Sequence, residues 1–165
     1  MSKSEERLLV AKRCFIRCYG LFWLTDEVEW TSGQGREHRN ALLGRRGERS
    51  PAFRLADFWD QRGIYVLYND YGPYYVGEIS KRSLGVRLRE HLDDDHAGSW
   101  NRFSWFGFCR VLKSVNEVGV RNLGKMPSQL LTNSEDTIGD IEALLIMSLR
   151  PPRVGLCVWL KLMRR

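Results

Sequence analysis

At 165 residues and 43% hydrophobic, the chain is long and apolar enough for one domain with its own core. A formal net charge of +6 and a pI near 9.4 favour a polyanionic partner, either nucleic acid or an anionic membrane surface. No apolar run approaches the ~18 residues of a membrane span. The charged stretch Met1 to Arg7 leads into no signal-type apolar segment, so a cytoplasmic protein is expected.

Residues 3–19 carry Leu8, Ala11, Phe15 and Tyr19 at helical spacing, which predicts a helix ending at Gly20. Residues 21–30 partly alternate and read as a strand. From Thr31 to Arg49 the composition turns to Gly, Arg, Glu and His. This is a long loop carrying Arg36, Arg39, Arg45, Arg46 and Arg49, either solvated or reaching a nucleic-acid backbone, and its His38 has no evident partner. Pro51 to Arg62 brings apolar Phe53, Leu55, Phe58 and Trp59 up to two strands, 63–69 and 74–79. The turn between them, around Gly72-Pro73, is too long for a two-residue hairpin. Gly77 marks a point where a side chain would obstruct a neighbour.

Residues 83–92 read as a helix capped by Ser83 or Ser80. Its inward stripe is Leu84, Leu88 and Leu92, with Arg87 and His91 on the flank between core and water. Asp93-Asp94-Asp95-His96 follows, a metal-like cluster that more often is a solvated helix end. A third strand is expected within 104–115, then a connecting region over 116–136. A second helix, 138–149, is expected with Thr137 and Asp140 as a capping pair and Ile138, Ile141, Leu145 and Leu149 on its buried face. Glu142 falls inside that apolar arc, a costly place for a carboxylate unless it is paired or holds a cation. Pro151-Pro152 stops the helix, 154–160 reads as a last strand, and 161–165 is a basic tail.

The four cysteines, Cys14, Cys18, Cys109 and Cys157, show no C-x-x-C and no zinc spacing. They read as free packing thiols, with Cys14 and Cys18 on one helix face. Lys81, Arg82, Arg87, Arg89, Arg102 and Arg110 lie among Trp100, Phe103, Trp105 and Phe106. Such interleaving offers cations for phosphates and rings for bases, or else a buried aromatic cluster with a charged rim.

Gly63-Ile64-Tyr65, Tyr75-Val76-Gly77, Arg87-Leu88-x-x-His91 and a late helical Glu142 together resemble the GIY-YIG nuclease domain, over roughly 63–153. Trp100 to Gly107 and the lead-in Val28-Glu29-Trp30 are similar to small stand-alone bacterial members. The resemblance implies an α+β fold. A small central three-stranded antiparallel sheet flanked by helices would occupy 61–165, with 1–60 as an N-terminal extension. It implies a Mg²⁺-dependent endonuclease acting on DNA, with Mn²⁺ as a substitute, as a monomer or homodimer. The alternative is a GIY-YIG nucleic-acid-binding module with weak or no cleavage.

Position by position, the resemblance makes Glu142 the metal-binding carboxylate, Tyr65 and Tyr75 the motif tyrosines, Arg87 the catalytic arginine and His91 the histidine one turn later. Lys81, Arg82, Arg89, Arg102 and Arg153 are the candidate nucleic-acid contacts. The chain departs from many members at one place. Where an asparagine follows the helix-ending proline in those members, this chain runs Pro151-Pro152-Arg153-Val154. The residue types suit phosphodiester hydrolysis: a carboxylate for Mg²⁺, a guanidinium for the non-bridging oxygens, and a tyrosine base that hands its proton to a histidine.

Overall fold

The computed structural model of the chain describes residues 15–28, 41–43, 55–117, 119–126, 134–149, 151 and 153–154. Seven strands and two helices lie among them: β1 Cys18–Leu24, β2 Gly63–Asn69, β3 Gly72–Ile79, α1 Leu84–Asp93, β4 Arg102–Gly107, β5 Val111–Val115, β6 Arg121–Leu123, α2 Ser134–Leu149 and β7 Arg153–Val154. The fold is α+β. Its main sheet has five strands in the order β1-β4-β2-β3-β7, where three were expected. β1, β4, β2 and β3 pair antiparallel, and the short β7 pairs parallel to β3. Among the described residues no helix is long and apolar enough to cross a membrane.

Side-chain alternation along β2 and β3 divides the core between the two faces of the sheet. Tyr65, Leu67, Tyr75 and Ile79 point to one face, where Leu84 and Leu88 of α1 pack with Trp59, Phe103 and Trp105. Ile64, Val66 and Val76 point to the other, where Ile146, Ile141, Leu145 and Leu149 of α2 cover them. The inward register of α1 differs from expectation at its end. Leu84 and Leu88 are buried, but Leu92 is exposed and His91 takes the inward place.

Several boundaries are corrected. Cys18 and Tyr19 belong to a strand rather than the end of a helix, so Cys18 shares no helix face; residues 1–14 lie outside the described residues. The reason is steric. At Gly20 an added Cβ would sit 2.4 Å from the Trp105 Nε1, so only a bare backbone passes close enough to pair with β4. The β2–β3 connection is a two-residue turn at Asp70-Tyr71, because Pro73 lies within β3 and a bulge near Tyr68 absorbs the extra residue. The expected third strand breaks at Phe108 to Arg110. β4 stays in the main sheet, and β5 pairs instead with β6. α2 begins at Ser134, so Thr137 lies within the helix rather than at its N-cap position. Of the expected strand 154–160 only Val154 is described, in β7, and the basic tail lies outside the described residues.

The long basic loop is described only at 41–43, where it enters the core. Leu42 is fully buried, its N–H donates to Asp57 Oδ1 at 3.0 Å and its carbonyl accepts the Phe58 N–H at 2.9 Å. The remaining loop arginines and His38 are outside the described residues.

The segment before β2 also starts α1. Ser83 stands at the N-cap position in an extended conformation and makes no side-chain cap bond. The first helical N–H groups are satisfied from elsewhere: Leu84 donates to the Gln61 carbonyl and Gly85 to the Trp59 carbonyl, each at 3.0 Å. Gln61 itself is fully buried. Its amide accepts from Cys109 N–H at 2.8 Å and donates to the Cys109 carbonyl at 3.1 Å, which ties α1 to the end of β4. Cys18 and Cys109 are free, and burial raises both thiols, Cys18 to about 11, so both are packing groups rather than nucleophiles.

Candidate active site

Tyr65 and Tyr75 project from adjacent strands onto the α1 face, with ring centroids 6.0 Å apart. They meet there because Tyr65 pairs with Gly77 across the ladder and Tyr75 lies two residues from Gly77, on the same face. Gly77 provides the room. A Cβ at that position would stand 2.4 Å from the Tyr65 hydroxyl oxygen, which is the obstruction anticipated from its place in the strand. Gly63, at the start of β2, has φ +144°, and a Cβ there would strike the Phe106 carbonyl oxygen at 1.9 Å. The two motif glycines therefore permit close contact, one of strand with strand and the other of strand with the Tyr65 ring.

A substitution tests that contact. Gly77→Ala forces either the Tyr65 ring or β3 to move. We expect a loss of about 1–3 kcal/mol in urea unfolding, the usual cost of overpacking a core. Unfolding identical to wild type would show that the ring yields freely.

α1 supplies Arg87 and His91, four residues apart and so on one side of the helix. His91 is almost fully buried rather than at the boundary with water. Its Nε2 lies 2.6 Å from the Tyr65 hydroxyl and its Nδ1 lies 2.8 Å from Asp94 Oδ2. Trp100 Nε1 donates to the His91 carbonyl at 3.0 Å, pinning the end of the helix. The Arg87 guanidinium donates to Glu90 Oε2 at 2.7 Å and lies beside both phenols. Arg82 also pairs with Glu90, so Glu90 braces two cations.

α2 brings Glu142 from the far face of the sheet. Its side chain is only 5% exposed, and it flanks Ile141 and Ile146 on the helix surface turned to the sheet. Its charge is felt at Tyr75, where it helps to keep the phenol protonated. Four of the five residues singled out from the sequence, Tyr65, Tyr75, Arg87 and His91, come from two strands and one helix into one region, and Glu142 bears on it through its charge at Tyr75, from the helix on the other face of the sheet.

The electrostatics of the region follow from burial. Burial pushes the Tyr65 phenol well above 10, the neighbouring Tyr75 adds to this, and Arg87 opposes it. Burial likewise raises Tyr75, again opposed by Arg87. Burial alone would depress Arg87, but the phenols and Glu90 outweigh it, so the guanidinium is held firmly as a cation. Burial lowers His91 below its usual 6.5; the bond to Asp94 works against this and does not overcome it. For Asp94, burial would raise the carboxyl, but the His96 N–H and the His91 imidazole prevail and lower it. At neutral pH the region therefore holds neutral phenols, a neutral His91, a fixed cation at Arg87 and an ionised Asp94.

The candidate nucleic-acid residues are less concentrated. Lys81, Arg82 and Arg89 are exposed on and just before α1. Arg102 lies at the opposite end of β4, bonded to Asn101 and 3.8 Å from Asp70 beside the hairpin turn. Arg153 pairs in register with Tyr75, so its backbone borders the tyrosine strand. The interleaved aromatics Trp100, Phe103 and Trp105 are buried in the core and offer no stacking faces.

In the sequence Asp94 stood only as part of the acidic cluster after the helix and Glu90 was not singled out, although each lies three residues after its partner, a spacing that puts side chains on one helix face. His91, Asp94 and His96 hold ligand-type atoms within 4.8 Å of one another, a set that by chemistry would suit a transition metal. These atoms are already engaged, His91 by Tyr65 and Asp94, and Asp94 by the His96 N–H at 2.8 Å. Comparisons with protein-family models, with curated proteins and with solved structures return no match for this chain.

Proposed function

We propose that the protein is a Mg²⁺-dependent endonuclease that hydrolyses DNA phosphodiester bonds, built on a GIY-YIG-type arrangement with β4, β2 and β3 as its central antiparallel strands. The observation that carries this reading is the meeting of Tyr65, Tyr75 and Arg87, with His91 bonded to Tyr65 and Glu142 acting on Tyr75. The basic net charge agrees with a polyanionic substrate.

The donor chemistry fits Mg²⁺. Glu142 is a buried hard oxygen ligand whose charge reaches the Tyr75 phenol, and Mg²⁺ needs only one or two carboxylates because it keeps several waters. Glu142 would hold the ion, which when bound supplies Lewis-acid stabilisation of phosphoryl and leaving oxygens. The other residues act directly. Arg87, a fixed cation, neutralises charge on the non-bridging oxygens. Tyr65 takes a proton from the attacking water and passes its own along the 2.6 Å bond to neutral His91. Tyr75 orients the water or the scissile phosphate. Exposed Lys81, Arg82 and Arg89 engage the flanking backbone.

The test is incubation of purified protein with linear, supercoiled, branched and single-stranded DNA, with Mg²⁺, with Mn²⁺ or with chelator. Nicks or cuts are expected with either metal and none with chelator. Binding without cleavage of any DNA or RNA would overturn the reading in favour of a nucleic-acid-binding module. Arg153, standing where many members of the resembled family carry asparagine, is the feature that favours that second reading.

A further inference from the structure

The bond between His91 and Asp94 lies outside the residues assigned so far. We infer that Asp94 is a positioning residue: it fixes the proton of His91 on Nδ1, so that Nε2 is left free to accept the proton of Tyr65. This deepens the nuclease reading and rests on it.

The argument is one of donors and acceptors. Asp94 is exposed at the end of α1, and both of its oxygens are spoken for: Oδ1 accepts the His96 N–H and Oδ2 lies 2.8 Å from His91 Nδ1. An ionised carboxylate only accepts, so the proton in that bond belongs to His91 Nδ1. A neutral imidazole carries one proton, so Nε2 is then an acceptor. The 2.6 Å bond to Tyr65 must run from the phenol O–H to Nε2. Arg87, which can only donate, lies beside the same phenol oxygen. The chain Tyr65–His91–Asp94 therefore has one consistent proton arrangement. When Tyr65 takes a proton from water, its own proton crosses to Nε2, His91 becomes imidazolium, and Asp94 faces the new charge. Each atom changes protonation once, and no group outside the chain is needed.

The groups that face His91 are Tyr65 from β2, Tyr75 from β3 at a ring distance of 5.3 Å, Arg87 and Asp94 from α1 and its cap, and His96 at 4.8 Å. Of these only Asp94 is an acceptor placed on Nδ1.

The test is Asp94→Asn, read in two ways. In the full-length protein, nitrogen-15 shifts of His91 should report the Nδ1–H form in wild type and its partial or complete loss in the variant. Single-turnover cleavage of supercoiled DNA with Mg²⁺ should fall about 100-fold, within the range of a mis-set general base. Its acid limb should move to lower pH, because the carboxylate that favours imidazolium is gone. A merely structural role would lower the plateau and leave the limb in place. An Nε2–H form in wild type, or a variant with unchanged rate and limb, overturns the inference. If wild type cuts nothing, the nuclease reading fails, and the His91 shifts alone then decide whether Asp94 sets the proton.

Discussion

Replacing Glu142 should abolish cleavage while leaving DNA binding intact. Glu142→Gln keeps the size and removes the charge, so the variant is expected to fold. Glutamine is nearly isosteric and keeps a carbonyl acceptor, so the buried position beside Ile141 and Ile146 is filled as before. Loss of the one carboxylate that would hold Mg²⁺ should lower the single-turnover rate by at least about 100-fold, the usual size of removing one electrostatic stabiliser. Affinity for DNA should stay within a few-fold, because the exposed basic groups Lys81, Arg82 and Arg89 are untouched. The measurement pairs a cleavage time course with a binding isotherm in chelator. A rate near wild type would remove Glu142 from the site. Equal loss of rate and binding would make it a structural residue.

How far the site was legible follows from where each residue's information lies. Arg87 and His91, four apart in a segment of plain helical period, could be read as sharing one direction, whereas Tyr65 and Tyr75 stood out only through the family resemblance. Glu142 announced itself by contradiction, a charge on an apolar helix face. What could not be read was depth. His91 was expected at the boundary with water and is buried, because α1 turns one step further than its leucines suggest and exposes Leu92. The sheet's outer strands were illegible for a different reason. β1 exists because Gly20 lets a backbone approach Trp105, a contact between residues far apart in sequence that no local period encodes. The same holds for Leu42, whose place in the core depends on Asp57 and Phe58. The aromatic residues around Arg102 read more readily as a core with a charged rim than as stacking faces, and the pairing of β4 between β1 and β2 buries Trp100, Phe103 and Trp105 accordingly.

Tyr65→Phe should be the second near-silent variant, and its pH behaviour tells why. The substitution removes only the hydroxyl that bonds His91 Nε2 at 2.6 Å. A general base is worth about 10²–10⁴ in rate, so single-turnover cleavage should fall within that range. Leaving buried Nε2 without its partner should also cost about 1–3 kcal/mol, visible in urea unfolding and too little to unfold the domain. In wild type the rate should be flat near pH 7 and should fall as pH drops below about 6.5, the ordinary value for histidine, towards the lower value that burial imposes on His91. The sign follows from the proton count: imidazolium has no free lone pair on Nε2 and cannot receive the phenol's proton. Stability should move the same way. The unfolded chain binds a proton at His91 more readily than the fold does, so the contribution of His91 to stability weakens as pH falls through that window. In Tyr65→Phe the residual rate no longer depends on a handover to His91, so its acid limb should flatten. A variant that keeps both the wild-type rate and its acid limb would move the base elsewhere, with Tyr75 the remaining phenol in contact with Arg87.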